Sequence, residues 1–164
     1  MLNPTIDYRF LRHSFALAED AKSRGIHPFA AVLVDANGEI LLEQINGYLP
    51  DLDMTGHAER LIMTQASKLY RPDFLNQCTL YVSAEPCAMC AGAIYWAGVG
   101  RVVYGLSETR LKALTGNHPE NPTLALRAES YLNPDSAQQK CTDHSWKKKP
   151  NKSSTAPGSP YRSS

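Results

Sequence analysis

Apolar residues near the start of the chain recur at helical spacing. Ile6, Phe10, Leu11, Phe15, Leu17, Ala18 and Ala21 form one stripe, which predicts an amphipathic helix. Asn3-Pro4 offers an N-cap followed by proline at the first helical position, and Gly25 stops the helix. The pattern then changes. Phe29-Ala30-Ala31-Val32-Leu33-Val34 is an unbroken apolar run, as expected of a central strand buried on both faces. Asp35-Ala36-Asn37-Gly38 carries the Asn-Gly hairpin signal, and Glu39 to Ile45 is the return strand, ended by Asn46-Gly47. Helical spacing resumes over residues 57–69 through Ala58, Leu61, Ile62, Gln65, Ala66 and Leu69. Cys78 to Ser83 reads as a third strand, broken by Glu85-Pro86. Cys87 opens a helix that runs to Gly98, and Arg101 to Leu106 is a fourth strand. A helix separates strands three and four, so a right-handed parallel crossover is expected.

These elements predict an α/β fold of three layers, α/β/α. Its mixed sheet holds an N-terminal antiparallel hairpin and parallel strands three and four. Beyond the fourth strand, Ser107 to Leu114 reads as a short helix, residues 115–122 as a loop and Thr123 to Tyr131 as a further helix. After about Asn133, Ser, Pro, Lys and Asn dominate, and no apolar alternation marks a fifth strand. The expected organisation is therefore one domain over residues 1–135 and a basic, disordered tail over residues 136–164.

Charge sharpens that division. Residues 1–135 carry 11 Lys and Arg against 15 Asp and Glu, a net of −4; residues 136–164 carry 6 against 1, a net of +5. An acidic domain disfavours a nucleic-acid grip, which usually shows a basic face, and leans toward a small-molecule substrate. No apolar run approaches the length of a membrane span, and Met1 to Phe10 lacks the layout of a signal peptide. With four cysteines in 164 residues, a reducing, cytoplasmic setting is expected rather than a disulfide framework.

Two short stretches carry the chemistry. Thr55-Gly56-His57-Ala58-Glu59 opens one predicted helix, and Ser83-Ala84-Glu85-Pro86-Cys87-Ala88-Met89-Cys90 opens another. His57, Cys87 and Cys90 are one imidazole and two thiols, good ligands for Zn2+. Three protein ligands leave a fourth position open, the mark of a catalytic rather than a structural site. Glu59 is the spare carboxylate, placed to take and return a proton. A folding zinc or a redox dithiol would have no use for the His-x-Glu pair 30 residues upstream of Cys87. His13 and His118 read as structural or exposed histidines, and Cys78 as a small buried hydrophobe.

His-x-Glu followed by Pro-Cys-x-x-Cys resembles the signature of the zinc-dependent base deaminases, the cytidine-deaminase-like superfamily. The resemblance covers roughly residues 26–130. It implies that Glu59 shuttles the proton between water, a ring nitrogen and departing ammonia. It also implies substrate contacts from Phe29, Asn46 and Trp96, and a homodimer; the backbone N–H groups at the two helix starts, of Ala58 and Cys87, are further candidate donors, and Tyr95 and Trp96 read equally as core or dimer packing. Asn46 has a plainer reading as half of an Asn-Gly turn. Where the family often reads Asp-Pro-Thr-Ala-His-Ala-Glu, this chain has Asp-Met-Thr-Gly-His-Ala-Glu, so Gly56 is expected to alter the loop that brackets the substrate. Gly92-Ala93-Ile94-Tyr95-Trp96-Ala97 is similar to guanine deaminases. The histidine-serine pair and the Lys-Thr-Gly-Ala segment of tRNA adenosine deaminases are not matched by Tyr95 to Ala97 or by Glu108 to Thr115. The expectation is hydrolysis of guanine to xanthine and ammonia, or of a related free aminopurine, nucleoside or triazine. Deamination of tRNA adenosine is the alternative.

Overall fold

The structure, a computed structural model, describes residues 4–115, Ala128, Leu132 and residues 140–143. In chain order the elements are α1 (Pro4–Ser23), β1 (Ala30–Val34), β2 (Ile40–Ile45), α2 (Ala58–Leu69), α3 (Pro72–Leu75), β3 (Thr79–Ala84), α4 (Ala88–Ala97), β4 (Arg101–Leu106), α5 (Glu108–Thr115) and β5 (Lys140–Asp143). The strands lie in the order β2-β1-β3-β4-β5. β1 is antiparallel to both β2 and β3, and β3, β4 and β5 run parallel. The expected mixed sheet, hairpin and parallel crossover are all present. The predicted helix over Thr123 to Tyr131, apart from Ala128, and the calls on Asn3 and His118 fall outside the described residues.

One expectation is corrected. The chain has a fifth strand: Lys140–Asp143 pairs with β4, from Arg101 opposite Lys140 to Tyr104 opposite Asp143. It lies inside the segment expected to be a tail. The physical reason is that a four-residue strand needs no alternation of its own when a neighbouring strand edge supplies the ladder. The short helix α3 was also not foreseen; Pro72 stands at its start.

Period-two alternation divides the core between the two faces of the sheet. Val32, Val34, Tyr81 and Val103 point to one side and pack with Phe10 and Leu11 of α1. Ala31, Leu33, Leu80, Val82, Val102 and Tyr104 point to the other and pack with Ile62, Met63 and Ala66 of α2 and Ala91 and Ile94 of α4. The result is the expected three layers. α4 ends at Gly98, whose φ of 83° is the left-handed cap that glycine adopts without strain.

The topology brings several chain ends to one edge. β2 and β3 are both antiparallel to β1, so they run in the same direction, as does β4. Their carboxyl ends, Ile45, Ala84 and Leu106, therefore emerge together beside Ala30, where β1 begins. α4 and α5 start directly from that edge and α2 follows from it through a loop. In open α/β sheets this edge is where ligands bind.

On the α1 face a buried ion pair fastens helix to sheet. Asp7 is 2% exposed. Its carboxylate accepts two bonds from Arg101, at 2.8 and 2.6 Å, and one from the Tyr81 hydroxyl at 2.8 Å. Burial and the Asp7 charge push the Tyr81 hydroxyl well above its usual range. Removing one partner of a buried pair leaves the other charge uncompensated. Asp7→Ala is therefore expected to lower the unfolding free energy by about 3 kcal/mol. Asp7→Ala/Arg101→Met should recover part of that loss; chemical denaturation measures both.

Candidate metal centre

His57 is the N-cap of α2, and Cys87 is the N-cap of α4. Cys90 lies in the first turn of α4. α2 and α4 pack on the same face of the sheet, so their first turns meet at the carboxyl edge. The ring nitrogen Nδ1 of His57 is 3.6 Å from Cys87 Sγ and 3.6 Å from Cys90 Sγ. All three ligand atoms lie within 4.8 Å of one another. A tetrahedral zinc with bonds of about 2.3 Å to sulfur and about 2.0 Å to nitrogen requires a sulfur-to-nitrogen separation of about 3.5 Å. The three side chains fit the ion, and the donor set, one imidazole and two thiols, fits its chemistry.

Electrostatics point the same way. The hydrogen bond with Cys90 holds the Cys87 thiol down to about 4, with His57 assisting against the cost of burial. Cys90 is pushed far above the usual thiol range, because it is the partner that keeps its proton for Cys87 and because it is buried. His57 is raised, chiefly by its hydrogen bond to Cys87. Three groups thus share protons in a space that burial makes expensive for any unbalanced charge. A dication relieves all three at once.

Glu59 sits one turn from this group and is 6% exposed. Burial pushes its carboxyl up to about 7, while its own backbone N–H and His57 pull it back. Near neutral pH such a carboxyl exchanges protons readily in both directions, which is what a general acid and base needs.

The other expected site residues are arranged along the same edge. Asn46 is buried; its N–H donates to the Phe29 carbonyl at 3.0 Å, which sets Phe29 and Asn46 side by side. Its side-chain oxygen accepts the Tyr48 N–H at 2.9 Å. That bond fixes the amide orientation, so Asn46 offers its NH2 group as donor. The turn hydrogen bond expected of Asn46 is present, and it sets the direction of the amide. Ala58 is the first residue of α2 and is fully buried. As the first residue of the helix it has an N–H with no partner inside the helix. Trp96 is not brought into this group. It is 83% exposed, with its ring edge-on to Tyr95.

Glu85 has a role the sequence did not disclose beyond the strand break. It is buried, and its two carboxylate oxygens accept the N–H groups of Glu108, at 2.8 Å, and of Ala128, at 3.0 Å. Its own N–H donates to the Leu106 carbonyl at 2.7 Å. It thereby ties the loop before Cys87 to the start of α5 and to the chain beyond. A glutamate next to proline in an otherwise apolar loop was the available signal.

Because Cys90 and His57 must release protons to bind a metal, zinc affinity is expected to rise with pH, by about tenfold per unit for each proton displaced. Competition with a chromogenic chelator between pH 6 and 8 measures the slope; a flat line would contradict the proton sharing described above. Cys90→Ala and His57→Ala should each lose stoichiometric zinc.

Comparison with known proteins agrees with this geometry. Residues 4–106 match the family model described as the cytidine and deoxycytidylate deaminase zinc-binding region. The chain is 39% identical over 126 residues to a probable cytosine deaminase of Schizosaccharomyces pombe, a match covering 77% of this chain and 76% of that protein. It is 37% identical over 108 residues to the tRNA-specific adenosine deaminase of Haemophilus influenzae, covering 66% of this chain and 62% of that one. The crystal structure of guanine deaminase from Bacillus subtilis superposes with a TM-score of 0.60 at 36% identity, covering 70% and 71% of the two chains. With its His-Cys-Cys group, its buried glutamate and a family match over most of the described residues, the chain belongs to the zinc-binding cytidine and deoxycytidylate deaminase family.

Proposed function

We propose that the protein is a zinc-dependent hydrolytic deaminase of a free aminated base, with guanine to xanthine and ammonia as the leading reaction. The observation that carries this reading is the placement of Glu59. It is a carboxyl that burial pushes up to about 7, adjoining three side chains spaced for zinc. When bound, zinc supplies an activated water at neutral pH. The chain's own residues supply the rest. Glu59 would accept a proton from water and pass it to a ring nitrogen, then take a second from the hydroxyl added to the base and deliver it to the departing amine as the C–N bond breaks and the carbonyl forms. Asn46 Nδ2 donates to a carbonyl oxygen or ring nitrogen of the base. The Ala58 N–H is a second donor. Burial of Glu59 and Ala58 keeps bulk water from competing for those protons.

Cytosine is the second reading, favoured by a specific observation: the match to the S. pombe protein spans 77% of this chain. Cytosine and guanine both carry an exocyclic amine and a carbonyl oxygen, so the donors of this site suit either. The tRNA reading draws on the H. influenzae relative; the acidic balance of residues 1–135 weighs against it. Among the described residues no helix is long and apolar enough to cross a membrane. A homodimer is part of the proposal. Met89, Tyr95 and Trp96 of α4 are exposed apolar surface that a second copy would cover, and sedimentation of Trp96→Glu against the native chain tests it.

Ammonia release from guanine, cytosine, guanosine and an unmodified tRNA, offered in parallel to the zinc-loaded protein, decides the substrate. Release from guanine supports the leading reading, release from cytosine the second, and release from tRNA alone overturns both. Glu59→Gln should keep its zinc and lose turnover by about 10²–10⁴-fold. Loss of zinc in that variant would refute the role assigned to Glu59.

A further inference from the structure

Asn46 and His57 belong to two strands of loop that are held together by bare backbone. The Gly47 N–H donates to the Gly56 carbonyl at 2.7 Å. A Cβ added to Gly56 would stand 2.8 Å from the carbonyl carbon and oxygen of Gly47, closer than real Cβ atoms approach, and a tight 3.0 Å from the Asp53 carbonyl oxygen. Neither Gly47 nor Gly56 has a positive φ. These positions need glycine for room rather than for torsion. The loop between them is itself fastened. Asp53 N–H donates to the Tyr48 carbonyl at 3.0 Å and Gly56 N–H to the Asp53 carbonyl at 2.9 Å. The Asp53 carboxylate takes Thr55 N–H at 2.8 Å and Arg60 of α2 at 2.7 Å. The contact therefore closes the base of a braced loop, and each glycine is the immediate neighbour of one site residue.

We infer that the Gly47–Gly56 backbone contact is a positioning clasp. It sets how far the Asn46 donor stands from the His57 ligand, and so which bases align their acceptor with Asn46 while presenting the amine-bearing carbon to the metal centre. The inference rests on the deaminase reading above and deepens it. The substrate class is a free base whose hydrogen-bond acceptor lies at one fixed span from the carbon that loses ammonia. A side chain at residue 56 forces the two backbones apart and misplaces that donor. It leaves the thiol ligands on α4 untouched.

The two glycines differ in a way that makes the test internal. A Cβ at Gly47 would meet the end of the Leu61 side chain, at 2.5 Å, and the next atom, the Gly56 carbonyl oxygen, is 3.7 Å away. A leucine methyl yields by rotation; a peptide carbonyl in a braced loop does not. Gly56→Ala is therefore expected to raise KM for the preferred base by about tenfold or more with kcat within about threefold, as loss of uniform binding requires. Gly47→Ala should stay within about threefold in both. Zinc stoichiometry should be unchanged in each. Asp53→Ala loosens the same loop while adding no atom, and should raise KM by about threefold or more if Gly56→Ala does not fold.

The experiment is steady-state ammonia release by the full zinc-loaded chain on cytosine and guanine. Hydrogen exchange of the Gly47 amide is followed in the same proteins. Native KM in Gly56→Ala, an equal rise in Gly47→Ala, or native KM in Asp53→Ala when Gly56→Ala is unfolded, overturns the clasp. If the native chain releases ammonia from neither base, the deaminase reading fails on that result. The clasp is then decided by exchange, which Gly56→Ala should accelerate at least about tenfold and Gly47→Ala should not; equal rates in the native and Gly56→Ala chains overturn it.

Discussion

The spacing of 3.6 Å between the His57 ring and two sulfurs that lie 30 and 33 residues away is the constraint on which the rest depends. No local segment delivers it. β2 and β3 must run in the same direction, so that the helices following them begin at one edge. β1 has to lie between them, antiparallel to both. α2 and α4 must then pack on the same face, which Ile62, Met63, Ala91 and Ile94 secure by burying against Leu33, Leu80 and Val82. Apolar burial is non-directional and fixes the layers; alternation along each strand fixes which residues face which layer. The hydrogen-bond ladder sets the register. The metal centre is what these three constraints leave at the sheet's carboxyl edge.

The protein handles buried charge in two contrasting ways. On the α1 face, Asp7, Arg101 and Tyr81 settle it internally, acid against base with a hydroxyl donating to the carboxylate. The charges are balanced there, although Arg101 Nε is buried without a hydrogen-bond partner. At the carboxyl edge the balance is left open. Two thiols and an imidazole share protons among themselves, and a carboxyl stands beside them pushed up to about 7. Perturbed groups gathered at one edge mark a working site, whereas a satisfied ion pair marks a fastening. The helix N-termini at this edge add partial positive charge, which favours the thiolate and the ionised carboxyl that the chemistry needs.

Most of the fold and the reacting residues were legible because both are written in short-range patterns. The run from Ala30 to Val34 is a strand on its own evidence, and His-x-Glu with Cys-x-x-Cys names its ligands without any structure. What was not legible depends on partners distant in the chain. Lys140–Asp143 is a strand because β4 presents an edge to it, and four residues of mixed polarity say nothing of that. Glu85 reads as a strand breaker until the N–H groups of Glu108 and Ala128 arrive at its oxygens. Gly56 reads as a departure from a family pattern, and only the fold shows that a Cβ there would stand 2.8 Å from the Gly47 carbonyl. Trp96, read from a six-residue resemblance as a substrate contact or a packing residue, stands on α4 with its ring 83% exposed.

The family match and the tie made by Glu85 meet at the end of β4. The family match stops at residue 106, the last residue of β4. Every residue assigned to the reaction lies before it. Glu108 and Ala128 lie after it, and Glu85, two residues before Cys87, holds both by their N–H groups. The carboxylate buried at that junction ties the start of α5 and Ala128 to the loop before Cys87 through backbone N–H groups. Relatives at 36–39% identity are named for cytosine, guanine and tRNA adenosine. In the function proposed above, the proton transfer assigned to Glu59 would serve any of these amines, so discrimination among them would fall to the donors that meet the base, Asn46 among them.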